Sequence, residues 1–257
     1  MSVLQQRDAL VIIPTYKEAE NISAIIDAVM ALDHEFDVLV VDDNSPDGTA
    51  DIARRKAEEY PGRVHLMERA GKQGLGTAYI AGFKWALERP NYEYIFEMDA
   101  DFSHNPKDLL ELYKACAGPQ QADVAVGSRY LTGINVVNWP IGRVLMSYYA
   151  SVYVRTVTGM HVRDATAGFV CYRRQVLQAI NLDAIRFKGY AFQIEMKYTA
   201  VQMGFKVVEV PIVFVNRRLG ESKMSGGIFS EGFFGVMRLK WDSIFNKKSR
   251  FQRNNQL

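Results

Sequence analysis

Three apolar runs in the first hundred residues end in the same way. Ala9 to Ile13, Val38 to Val41 and Tyr94 to Met98 are short, rich in β-branched or aromatic residues, and each stops at a polar turn. Short apolar runs bounded by turn formers read as buried strands. Behind the first run, Ile22, Ile25, Ile26 and Val29 recur at spacings of three and four, the mark of a helix with one apolar stripe. Ile52, Ala53, Lys56 and Ala57 repeat the pattern more weakly. Strand, polar turn, helix and strand, at about thirty residues per unit, predict a parallel α/β sheet. Strands are expected near 9–13, 37–42, 63–68, 92–98 and 122–127, with helices between them. After Tyr130 the pattern changes. Residues 132–135 read as a loop, and Val144, Leu145, Tyr148, Val152 and Arg155 form a helical stripe. Gly168 to Tyr172 reads as a short strand, and Phe192, Glu195, Met196 and Thr199 belong to another helix. Lys206 to Val215 reads as a late strand with Pro211 at an edge or bulge. Ile228 to Phe245 is a helical stretch rich in Phe, Met and Trp.

In parallel α/β sheets the ligand crevice lies outside the carboxyl ends of the strands. Glu18, Asp42, Asp43, Asp99 and Asp101 all follow strand ends and are therefore expected on one rim. Carboxylates gathered in this way need cations or a ligand's hydrogen-bond donors. Asp99 and Asp101 stand one residue apart, and on a continuing strand they would face the same way. Oxygen-only ligands suit Mg²⁺ or Mn²⁺, which keep waters and share phosphate oxygens with a substrate. A bare Asp-x-Asp is also what a solvated turn contains. For Glu18 the plainer reading is a first-turn helix charge, for Asp42 a capping role, and for Asp47 the turn residue of Pro-Asp-Gly. The first strand-to-helix turn holds Pro14-Thr15-Tyr16 where a dinucleotide fold needs G-x-G-x-x-G, and there is no Walker sequence.

Composition narrows the field. With 257 residues and 48% hydrophobic content the chain can bury a full core. A net charge of +2 argues against nucleic acid as a partner. Cys116 and Cys171 lack ligand-spaced neighbours, so neither a disulfide framework nor a thiolate metal site is expected, and a reducing compartment fits. The N-terminus lacks the pattern of a signal peptide. Val144 to Val154, the longest apolar-looking segment, is too short to span a bilayer, which takes about twenty residues. An integral membrane protein is not expected.

Four motifs occur in order: Pro14 to Glu18, Val41 to Thr49, Lys72 to Tyr79 and Met98 to His104. Together they resemble family 2 glycosyltransferases of the GT-A fold. Val126 to Tyr130, Lys188 to Gln193 and Arg217 to Lys223 are similar to the later motifs of the dolichyl-phosphate (polyprenol-phosphate) mannose synthases within that family. The resemblance covers residues 9 to 240 or so. It implies a Rossmann-like, mostly parallel sheet flanked by helices, with acceptor-side helices towards the C-terminus. It implies one catalytic domain over residues 1–245, its nucleotide-binding half at 9–130 and its acceptor half at 131–245, with 246–257 a basic, flexible tail. Pro14, Tyr16, Glu18, Val41 and Asp43 would hold the guanosine of GDP-mannose. Asp99 and Asp101 would hold Mg²⁺ or Mn²⁺, with Ala100 lining the nucleotide. Arg129, Arg217 and Lys223 would meet phosphate oxygens or the sugar, the plainer alternative for Arg217 and Lys223 being a solvated cationic loop. Asp101, Arg129 and Lys223 are the residues expected to carry catalysis. Val170 departs from the pattern, standing where the subfamily has arginine. Glu97, inside an apolar strand, has no explanation in the sequence.

The expected reaction moves mannose to a polyprenyl phosphate with inversion. A phosphate monoester has a second pKa of about 6 and is its own nucleophile near neutral pH. No general base stands out; Asp164 and Glu195 are candidates by elimination only. Arg143 joins the cations available to steer the phosphate. The stripe at Val144 to Tyr153 and the run Phe229, Phe233, Phe234, Met237 and Trp241 suit either core helices or an interfacial surface. Between Arg238 and Arg253 stand six Lys or Arg (238, 240, 247, 248, 250, 253) and one Asp (242), which favours an anionic leaflet. The expected location is therefore the cytosolic face of a membrane, peripherally bound, and some relatives need a small membrane-anchoring subunit. Alternatives are a UDP-sugar transferase making polyprenyl phosphate glucose or a related lipid, a receiver-like Mg²⁺-binding regulator, or an inactive sugar-nucleotide sensor.

Overall fold

The computed structural model describes residues 7–189, 191–216 and 228–245, with side chains of 228–232 left aside. The first half lays down β1 (Ala9–Thr15), α1 (Ile22–Met30), β2 (Phe36–Asp42), α2 (Thr49–Glu59), β3 (Val64–Glu68), α3 (Leu75–Leu87), β4 (Tyr94–Glu97), α4 (Asp108–Ala117) and β5 (Val124–Ser128). The second half adds β6 (Val136–Val137), α5 (Ile141–Thr158), β7 (Val170–Arg173), α6 (Arg174–Ala179), α7 (Ala191–Gln202), β8 (Val207–Pro211), β9 (Phe214–Val215) and α8 (Ile228–Phe245).

Seven strands form one sheet in the order β3-β2-β1-β4-β7-β5-β8. All neighbours run parallel except β7, which lies antiparallel to both β4 and β5. β7 and β8 come from the second half of the chain, so the two halves share a sheet. β6 and β9 pair separately. The alternation of β1 sets the two faces of the sheet: Leu10 and Ile12 join a core with Tyr79 and Phe83 of α3, while Ala9, Val11 and Ile13 join a second core with Ile22, Ile25 and Leu109 of α1 and α4. Both faces are covered, which is why the strands read as continuous apolar runs.

The expected strands are present with shifted ends. The late strand expected over Lys206 to Val215 is broken into β8 and β9, and β8 ends at Pro211. Val170 is fully buried in β7, paired with Glu97 on one side and Val126 on the other. In this chain the position therefore offers an apolar side chain inside the sheet and no cation for a phosphate. No helix among the described residues is long and apolar enough to cross a membrane.

The strand-end rim and the adjoining cavity

Each of the turns after β1, β2 and β4 carries a non-glycine residue in the left-handed region: Lys17 (φ 57°), Asn44 (φ 56°) and Phe102 (φ 57°). Such residues cost of order 1–3 kcal/mol each and cluster where a site must be shaped. Polar side chains hold these turns. Asp42 is fully buried, accepting from Thr15 Oγ1 (2.7 Å), Ser45 Oγ (2.6 Å) and Ser45 N–H (2.8 Å). Asp47 accepts from Ala19 N–H (3.1 Å) and Thr49 Oγ1 (2.6 Å), tying the β2 turn to the β1 turn. Both therefore have the structural roles expected of them. Glu18 is not in the first turn of α1, which starts at Ile22; it accepts from the Asn21 side chain (3.0 Å).

Asp43 forms an ion pair with Arg69 at 2.6 Å, and Arg69 also donates to Thr77 Oγ1 (3.0 Å). Tyr16 is partly exposed, with the Lys72 ammonium 5.0 Å from its ring centroid. Pro14, Tyr16, Glu18 and Asp43 thus share the rim over β1 and β2. Val41 does not offer its side chain there: it is fully buried in the core below the rim. The glycine in the first turn of α3 meets the second half of the chain. Gly76 N–H donates to Lys188 O (2.8 Å), and a Cβ at Gly76 would lie 2.7 Å from the Phe192 ring. Only glycine permits that approach.

The second group of expected residues surrounds a cavity of about 560 Å³. Asp99, Asp101, Arg129 and Arg143 all line it, together with His104, Trp139, Gln193 and Phe214. Ala100 is buried beside them. Asp99 and Asp101 do not continue a strand, because β4 stops at Glu97. They sit in a turn in which Ser103 N–H donates to Asp101 Oδ1 (3.0 Å), a local bond that outcompetes strand pairing. The side-by-side facing expected of a continuing strand therefore gives way to turn geometry. Among the described residues no three Asp, Glu, His or Cys gather into a metal cage. Two carboxylates still fit a Mg²⁺-like ion, which normally takes one or two carboxylates with waters and substrate phosphate oxygens completing the shell.

Arg129 is buried and gripped by Asp164: Nε to Oδ2 at 2.7 Å, Nη2 to Oδ1 at 2.7 Å, and backbone N–H to Oδ2 at 3.0 Å. Burial alone would raise the Asp164 pKa, but the Arg129 charge and hydrogen bonds hold it below the usual carboxylate range. Asp164 is a guanidinium holder and not a base. Glu195 is excluded as well, since its Oε2 accepts from Arg186 and Phe187 N–H at 3.0 and 2.9 Å. Arg143 stacks over Trp139, Cζ 4.1 Å from the ring centroid, and donates to Asn216 (3.1 Å). Burial drives His104 down to about 4, so it is a neutral ring at physiological pH, stacked on Phe169 with centroids 4.8 Å apart. Arg217 and Lys223 lie outside the described residues, as does the tail at 246–257.

Glu97 now has a setting. It is fully buried, and Lys197 of α7 is buried opposite it. Burial lifts Glu97 to about 8 against the attraction of Lys197. Burial likewise lowers Lys197 to about 8 against the attraction of Glu97. Lys197 Nζ also donates to Ala167 O (2.6 Å), in the loop that carries Asp164. The interruption at Glu97 was a readable signal of this buried network, but nothing in the sequence named its partner.

The wall of the cavity farthest from the sheet is apolar and continues outwards. Met146, Tyr149 and Tyr153 of α5 and Phe233 of α8 line it. Tyr153 stacks on Phe233 (4.8 Å) and donates to its carbonyl (2.9 Å). Beyond it Leu145, Phe234, Met237 and Trp241 stand exposed, Phe234 at 68% and Trp241 at 63%. These positions of the two helices are a surface and not a core, whereas Val144, Val154, Val236 and Leu239 turn inwards.

An α/β sheet with one reversed strand, an acidic turn at its carboxyl edge and a cavity beside it defines a GT-A glycosyltransferase. Solved structures agree on the fold. Glucosyl-3-phosphoglycerate synthase from Mycobacterium tuberculosis, in complex with Mn²⁺, UDP-glucose and glycerol 3-phosphate, matches with a TM-score of 0.63 at 15% identity, covering 91% of this chain and 78% of that one. A mannosyltransferase from Pyrobaculum calidifontis, in complex with GDP-Man and Mn²⁺, matches with a TM-score of 0.56 at 20% identity, covering 93% of this chain and 64% of that one. The glycosyl transferase family 2 model matches residues 10–180, and the chain belongs to that family. Two curated relatives are nearer in sequence. The undecaprenyl-phosphate mannosyltransferase of Micrococcus luteus is 47% identical over 239 residues, 91% of this chain and 96% of its own. The polyprenol monophosphomannose synthase of Mycolicibacterium smegmatis is 50% identical over 228 residues, 88% of this chain and 84% of its own.

Proposed function

We propose that this enzyme transfers mannose from GDP-mannose to a polyprenyl phosphate, giving the β-linked polyprenyl phosphate mannose. The observation that carries the reading is the cavity itself, which joins an acidic pair, two guanidiniums and an apolar wall leading to an exposed aromatic surface. The relatives at 47% and 50% identity support the same chemistry. The acceptor phosphate, a dianion near neutral pH, attacks the anomeric carbon in line. The bond from that carbon to the diphosphate breaks, its electrons stay with GDP, and the configuration inverts. No proton is removed from the acceptor, which agrees with the engagement of Asp164 and Glu195 elsewhere. Arg129 and Arg143 hold the acceptor phosphate close to the electron-rich diphosphate. Arg217 and Lys223 are proposed to share that task.

Pro14, Tyr16, Glu18 and Asp43 would form the guanosine side of the donor site, with Val41 contributing backbone only. Asp99 and Asp101 would hold Mg²⁺ or Mn²⁺, which neutralises charge gathering on the leaving diphosphate. Residues 1–245 act as one catalytic unit, a reading supported by the shared sheet. The exposed aromatics of α8 and α5 would rest on the cytosolic face of a membrane, with or without a small anchoring subunit.

The test is direct. The purified protein is incubated with Mg²⁺, short polyprenyl phosphate and labelled GDP-mannose or UDP-glucose, and the lipid is extracted. Label in the lipid from GDP-mannose is expected. Label from UDP-glucose alone would move the protein to the glucosyl reading, and mannose passed to a water-soluble sugar hydroxyl at a comparable rate would overturn the lipid acceptor.

A further inference from the structure

Gln193 is the third residue of α7, 1% exposed, and lines the cavity together with Asp99 and Asp101. Neither its Oε1 nor its Nε2 has a hydrogen-bond partner among the described residues. A buried amide left in that state keeps its full desolvation penalty, so most are satisfied. The hydroxyls of Tyr79 and Tyr172 are also buried without partners, but neither lines the cavity. Gln193 is the case in which an unmet donor and an unmet acceptor sit together at a substrate-sized space.

The surroundings fix the amide. One helical turn later on the same face, Lys197 is tied to Ala167 O at 2.6 Å. The Gln193 amide lies close enough to Glu97 to favour its charged form, yet the two form no hydrogen bond of normal geometry, and both carboxyl oxygens of Glu97 are likewise without a partner. On the cavity side Gly168 faces it with no side chain; a Cβ there would stand 3.6 Å from Nε2. The amide therefore has Glu97 beside it and the gap left by Gly168 in front of it. A neutral amide offers one acceptor and two donors, a match for hydroxyls, which both donate and accept. It adds no charge beside the diphosphate. The cations of the cavity suit phosphate, and the acidic pair suits a metal. Among the uncharged groups of the wall, where His104 Nδ1 and Trp139 Nε1 also lack partners, Gln193 is the one with both a donor and an acceptor unmet, the match for an uncharged, hydroxyl-rich partner.

We infer that Gln193 reads hydroxyl groups of the donor's hexose, making it a specificity-determining residue of the donor site. The inference rests on the glycosyl-transfer reading above but not on which hexose is moved. A site built to hydrogen-bond a hydroxyl rejects an analogue that lacks it.

The experiment crosses Gln193→Leu with donors lacking single hydroxyls. Transfer by the full-length protein is measured with GDP-mannose and its 2-, 3-, 4- and 6-deoxy forms, and GDP binding is measured separately by calorimetry. Two neutral hydrogen bonds at about 1 kcal/mol each predict a fall of about 30-fold in kcat/KM for GDP-mannose. GDP affinity should stay within about twofold. The decisive result is coupling: one deoxy donor should be poor with the wild type and suffer no further loss with the variant. If the variant shows the same penalty as the wild type at every position, or loses GDP binding in parallel, Gln193 is structural and the inference falls. Gln193→Asn, which keeps the amide but withdraws it, serves in the same cycle if the leucine variant does not fold. If the wild type uses UDP-glucose instead, the GDP-mannose reading fails, and deoxyglucose donors put Gln193 to the same test.

Discussion

Asp164→Ala would remove the acceptor of three hydrogen bonds from Arg129, two of them at 2.7 Å, and leave a buried guanidinium without its counter-charge. Breaking a buried pair from one side costs about 3–5 kcal/mol, because the orphaned charge keeps its desolvation penalty. For a chain of this size each kcal/mol shifts Tm by about 2–4 °C, so the expected fall is about 6–20 °C. Asp164→Leu combined with Arg129→Met removes both charges and should recover most of the loss, since apolar replacement of an ion pair is often neutral. Acid should reproduce part of the effect in the wild type. Asp164 is held below its ordinary 3.8, so its contribution is complete above that value and disappears as pH falls through the lower folded one. Thermal and denaturant unfolding of the wild type, Asp164→Leu, Arg129→Met and the double variant forms the cycle. An Asp164→Ala penalty below about 1 kcal/mol, or a double variant no better than the single, would refute the pairing as a source of stability. Activity adds a second readout. Asp164→Asn should lower turnover through a displaced Arg129 while leaving the shape of the pH profile unchanged; loss of the acid limb alone would return Asp164 to the role of a base.

The remaining expectations are brief. Asp101→Ala should lower turnover by several orders of magnitude with the fold intact, and excess chelator should lower the activity of the wild type likewise; near-normal activity in either case sinks the metal assignment. Calorimetry in Mn²⁺ should show GDP binding more tightly than UDP, and the reverse order would move the donor assignment. Trp139→Ala should raise the KM for the lipid phosphate more than it lowers kcat, because it removes the ring under Arg143, and Trp139→Phe should restore most of the loss. In flotation with anionic liposomes, Phe233→Ser with Trp241→Ser should abolish salt-resistant binding, whereas deleting 246–257 should remove only the part that salt screens; wild type that stays soluble at low salt rejects direct attachment.

The strands of the first half were legible because both sheet faces are covered, so apolar runs mark them directly. Their ends were legible because proline and the Asx turns of Asp42 and Asp47 punctuate them locally. What could not be read was whatever depends on pairing between distant segments. The reversal of β7 is invisible in Val170-Cys171-Tyr172-Arg173, since a strand buried on both faces has the same composition in either direction. The two aromatic helices defeated the pattern for a different reason. Tyr149 repeats at helical spacing with Leu145 and Met146, and Phe234 with Met237 and Trp241, all of them exposed, and periodicity separates faces without saying which one meets solvent. The site divides on the same line. Asp99 and Asp101 announce themselves by proximity in sequence. Arg129 and Asp164, 35 residues apart, or Glu97 and Lys197, 100 apart by their numbers, become partners only once the sheet is closed. Gln193 belongs with these. It closes the motif Lys188 to Gln193, but the motif does not say what the amide meets, and its chemical meaning comes from what the fold leaves unpaired around it. For this family of sites, then, the residues that touch charge can be found from the chain, whereas those that touch neutral hydroxyls must be found from unmet hydrogen bonds in the folded molecule.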